Sequence, residues 1–160
     1  MNFIRNGGKA IYLNGAGNLK TIDKENAAFI YSAKVHPARG LWTCIPHLIR
    51  DHPIFNGLPS DTIMRDTYEN VWPKTSIRDL EIEEGIVHKP IVASIGFDWF
   101  SRNHKMQYSG PGPSWWGYDL FKIEYGKGEL IHSQFRIIEN LGKDPVADKL
   151  LLNIINYFNE

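Results

Sequence analysis

The chain has 160 residues, with 18 Lys+Arg against 18 Asp+Glu, 42% hydrophobic residues and 22% charged ones. That composition suits one globular domain with a real core and excludes a disordered or fibrous chain, while the zero formal charge removes the electrostatic case for a nucleic-acid or membrane-surface partner. The lone cysteine, Cys44, excludes a disulfide framework or a Cys-rich zinc site, no apolar run approaches the roughly 20 residues that span a bilayer, and no apolar stretch follows Arg5 as a signal peptide requires.

Residues 3–6 read as the last turn of a helix, stopped by Gly7-Gly8. Residues 9–14 form a short apolar run, expected as a buried strand, with a tight turn at Gly15, Ala16 and Gly17. A chain that opens on the end of a helix suggests an upstream element or the tail of a longer polypeptide. Residues 23–33 are a helix candidate, capped by Asp23, with Ala27, Ala28, Ile30 and Tyr31 giving an apolar face. Residues 41–49 are β-capable but interrupted by Pro46, as on an edge strand. Residues 51–59 hold two prolines and an Asn-Gly pair, and read as a turn. A strand is expected around Ile63 and Met64, and a weaker one over residues 77–82.

Three stronger strands follow, over residues 90–97, 118–125 and 129–135; Gly126-Lys127-Gly128 supplies a hairpin turn between the last two. Residues 101–117 read as a polar, Gly/Pro- and Trp-rich loop of the kind that carries binding surfaces. Asp144-Pro145 opens a final helix, on which Val146, Leu150, Ile154 and Phe158 recur every four residues beside Ala147, Leu151 and Ile155. The pattern predicts one mixed α/β domain of about six strands and two or three helices.

Residue types capable of chemistry are scattered. The turn at Gly15, Ala16 and Gly17 offers no nucleophile, and it lacks the glycine spacing of a dinucleotide fingerprint. Cys44 sits in an apolar setting; paired with His36, His47 or His52 it would make the chain a small cysteine-dependent hydrolase, the remaining alternative, but no third orienting residue is indicated. No His-x-x-x-His or His-x-His spacing points to a metal, and a lone His132 on a strand reads as hydrogen-bonded structure. Asp66 with Glu69, and Asp98 with Asp119, are the acid pairs a glycosidase would need, but nine Asp and nine Glu make accidental pairs common. No catalytic residue, metal or cofactor is assigned.

The aromatic residues are more unusual. Trp99, Tyr108, Trp115, Trp116 and Tyr118 gather around one Gly/Pro-rich segment, with Arg102, His104 and Lys105 adding polar tips. Three roles compete for them: cover over the core, a protein interface, or a platform for sugar rings.

Three segments, in order, resemble a known family. They are Arg50-Asp-His-Pro-Ile-Phe-Asn-Gly-Leu-Pro59, Tyr125-Gly-Lys-Gly-Glu-Leu-Ile-His-Ser-Gln-Phe-Arg136 and Asp144-Pro-Val-Ala-Asp-Lys-Leu-Leu-Leu-Asn153; the opening Ile4-Arg-Asn-Gly-Gly-Lys-Ala-Ile-Tyr-Leu13 also fits. Together they are similar to the C-terminal region of family 2 glycoside hydrolases, the β-galactosidase and β-glucuronidase relatives, in a domain like the class I glutamine amidotransferases and the β-galactosidase trimerisation domain. The resemblance implies a single flavodoxin-like, three-layer α/β domain over residues 1–160, lacking its first strands and forming part of a longer chain. It implies an accessory role, since the glycosidase glutamates lie in a separate barrel and the amidotransferase cysteine has no counterpart at Gly15, Ala16 and Gly17. The implied partners are other domains of a glycoside hydrolase or further copies of the chain, with carbohydrate as the alternative ligand.

Overall fold

The protein is described here by a computed structural model covering residues 2–14, 21–22, 31–37, 46–60, 62–84, 86–99 and 111–159. Within these residues the elements run α1 (Asn2–Arg5), β1 (Lys9–Leu13), β2 (Thr21–Ile22), β3 (Tyr31–Pro37), β4 (His47–Ile49), β5 (Thr75–Ile82), β6 (Val87–Trp99), β7 (Pro111–Tyr125), β8 (Gly128–Ser133), α2 (Ile137–Asn140) and α3 (Pro145–Tyr157). All eight strands belong to one sheet, in the order β1-β8-β7-β5-β3-β2, with β6 pairing both β7 and β4. Only β1 and β8 run parallel; the other ladders are antiparallel.

This corrects the expected flavodoxin-like sandwich. Such a fold needs a mostly parallel sheet with helices on both faces. Here the long ladder joins β6 and β7 as a hairpin-type antiparallel pair, and α3 is the one helix longer than a turn among the described residues. The sheet is mainly antiparallel and curls on itself. Tyr31 on β3 touches His132 on β8 although β5 and β7 lie between them. Three strand spacings in a flat sheet would separate them by roughly 14 Å.

The curl produces two cores. One lies between the sheet and α3, with Ile54, Phe55, Tyr68, Leu120, Ile131, Leu150 and Ile154 at its centre. The other lies inside the curl, where Tyr31, Ala33, Ile77, Phe121 and Ile123 meet. Asp144 caps α3, its Oδ1 accepting the Val146 N–H at 2.7 Å, and Pro145 occupies the first turn. Ala147, Leu150, Ile154 and Phe158 are buried as their spacing predicts, whereas Ile155 is exposed along with Leu152.

The turn over residues 51–59 holds a 3-10 turn, Pro53–Phe55, that buries Ile54 and Phe55. Asn153 on α3 fixes it, its Nδ2 donating to the carbonyls of Ile54 at 2.8 Å and Asn56 at 2.9 Å. The β7–β8 turn forms where expected, with Gly126 at φ +62°. A Cβ on Gly128 would strike the carbonyl oxygens of Ile4 and Gly8, so the missing side chain lets α1 and β1 close over the turn.

Other expectations are corrected. Residues 31–33 are strand, not the end of a helix; Tyr31 and Ala33 are buried in the curl while Lys34 is exposed. Residues 111–117 extend β7 rather than forming a loop. Ile63 makes a single bridge to Leu48 instead of a strand. The turn at residues 15–17, the helix candidate over 23–30 and Cys44 lie outside the described residues. No described helix is long and apolar enough to cross a membrane.

Candidate functional site

The candidate aromatic residues divide along β7. Trp115 and Trp116 are neighbours in a strand, so their side chains leave opposite faces. Trp115 lies flat across β6, because its cross-strand partner is Gly96 and a Cβ there would collide with the indole ring. The Arg78 guanidinium covers it, 3.2 Å from the ring centroid. Trp115 is therefore held within the fold, and its indole N–H is buried with no hydrogen-bond partner among the described residues.

Trp116 points the other way and is 53% exposed. Its ring packs on Tyr118 at a centroid distance of 4.6 Å. Tyr118 is itself buried, and its hydroxyl meets His88 Nε2 at 3.1 Å. The contacts continue inward from Tyr118 to Phe121 and on to His132, giving an aromatic ladder from surface to core. Trp116 is thus an exposed ring on a rigid support. Trp99 ends β6 opposite Pro111, and Tyr108 lies outside the described residues, so of the five candidates the structure brings together Trp116 and Tyr118, with Trp115 on the opposite face.

A second set of residues, buried and polar, was not singled out as a group by sequence. His47 at the start of β4 donates from Nδ1 to Asp119 Oδ2 on β7 at 2.7 Å. Ser94 Oγ on β6 donates to the other carboxylate oxygen at 3.1 Å, and Ser76 Oγ on β5 lies 2.6 Å from Ser94 Oγ. Alternation places these side chains on one face of the sheet, near Trp72, whose ring is 5.9 Å from His47.

Beside this chain runs another. Gln134 Oε1 accepts from Asn14 Nδ2 at 3.1 Å and from Thr75 Oγ1 at 2.8 Å. Its Nε2 lies 2.7 Å from His132 Nε2, and His132 Nδ1 meets the Tyr31 hydroxyl. The two chains touch where the Gln134 backbone N–H donates to the Asp119 carbonyl at 2.7 Å. Burial lowers the His132 pKa to about 3, so the ring is neutral.

This arrangement binds strands together rather than presenting reactive groups. Asp119, half of one suspected acid pair, is fully buried with both oxygens occupied. Asp66 and Glu69, the other pair, lie exposed on and just after a 3-10 turn. Ser94 bonds the carboxylate and not the imidazole, which is not the order that activates a nucleophile. Among the described residues no group of three or more His, Cys, Asp or Glu is placed to hold a metal ion. Comparison with protein-family models, with curated proteins and with solved structures finds no match for this chain.

Proposed function

We propose that this chain is a non-catalytic accessory domain of a carbohydrate-active enzyme of the glycoside hydrolase type, serving assembly or domain packing. The observation that carries the reading is Trp116, a large aromatic side chain left open to solvent yet fixed by Tyr118 and, behind it, His88. Tryptophan, with tyrosine and arginine, is enriched among the side chains that anchor protein contacts. The internal use of His47, Asp119, Ser76 and Ser94 as strand ties supports a role other than turnover. The association with carbohydrate chemistry rests on the resemblance of the segments 50–59, 125–136 and 144–153 to family 2 glycoside hydrolases.

The same exposed ring suits a second reading, stacking against the apolar face of a sugar. Light scattering on the full chain and on Trp116→Asp separates the two. Assembly predicts a defined oligomer that the substitution reduces to monomer, with no hydrolysis of aryl-glycosides by either form. Sugar binding predicts an unchanged mass and a calorimetric heat with oligosaccharides that Trp116→Ala removes. Aryl-glycoside turnover abolished by a substitution within this chain would overturn the accessory reading.

A further inference from the structure

We draw no further inference here: the strongest candidate, the exposed apolar patch that Leu152 and Ile155 form on the outer face of α3, is an unpartnered helix face, and nothing in the structure shows what covers it.

Discussion

The Asp119 carboxylate on β7 holds His47 Nδ1 on β4 at 2.7 Å, across the intervening strand β6, with both side chains buried. Ser94 on β6 binds the same carboxylate, so one acid ties three strands. Removing it strands two buried donors. Asp119→Ala is expected to cost about 3–5 kcal/mol in urea unfolding. A His47→Leu, Asp119→Leu double variant should cost less than the sum of its single variants, because the partners fail together.

The adjacent tryptophans should separate cleanly. Trp115, pinned between Gly96 and Arg78, contributes to stability, and Trp115→Ala is expected to cost about 3 kcal/mol. Trp116→Ala should stay within about 0.5 kcal/mol of wild type. Thermal and urea unfolding of the two variants checks this directly.

Asn153 carries two hydrogen bonds that lock α3 to the turn beneath it. Asn153→Leu keeps a side chain of similar bulk but leaves the carbonyls of Ile54 and Asn56 without their donor. The expected loss is about 2 kcal/mol, read from the urea midpoint. Proteolytic susceptibility near Gly57 should rise in the same variant.

Lys122 gives an alkaline prediction. Burial by itself would lower its pKa, but hydrogen bonds with Tyr157, Glu129 and Glu124 outweigh burial and raise it above the ordinary 10.5. A raised value in the folded chain means that the stabilisation is complete below pH 10.5 and is lost as pH rises beyond it. Lys122→Met should cost about 1–3 kcal/mol at pH 7 and flatten the alkaline part of the curve. Urea midpoints of both proteins measured from pH 7 to 11 test both statements.

Gly128 is expected to tolerate no side chain. A methyl group there meets backbone oxygens of Ile4 and Gly8, which cannot rotate away. Gly128→Ala should cost about 3 kcal/mol, and amide protection should fall first in α1 and β1. Gly142, with open space around it, is the control: Gly142→Ala pays only the strain of its φ of +69°.

Local signals were legible where one element decides them. The Gly7 stop, the hairpin at Gly126 and the Asp144-Pro145 start of α3 all form as their residues dictate, and β1 forms as a strand, though half-buried at the sheet edge and not buried as its apolar run suggests. β3 was misread because Tyr31 and Ala33 sit beside the alanines and isoleucine of residues 27–30, so an alternating strand looks like the end of a helical face. The architecture was misread for a different reason. A parallel β1–β8 pair with a final helix is what a doubly wound sheet also contains, and strand direction is settled by long-range pairing rather than by periodicity. Of the candidate site, the aromatic residues were visible in composition, but not which face each would leave. The partners of Asp119 and His132 lie from 2 to 101 residues away and carry no shared spacing, so sequence showed the polar residues without their connections.

The pairing of Lys9 with Glu129 has a consequence for biosynthesis. A ribosome delivers β1 about 120 residues before the strand it must join, and at 5–20 residues per second that interval lasts roughly 6–24 s. Throughout it, an apolar segment emerges from the exit tunnel with no intramolecular mate. Faster translation shortens that exposure of residues 9–13, so slowing the ribosome is expected to raise aggregation of the nascent polypeptide.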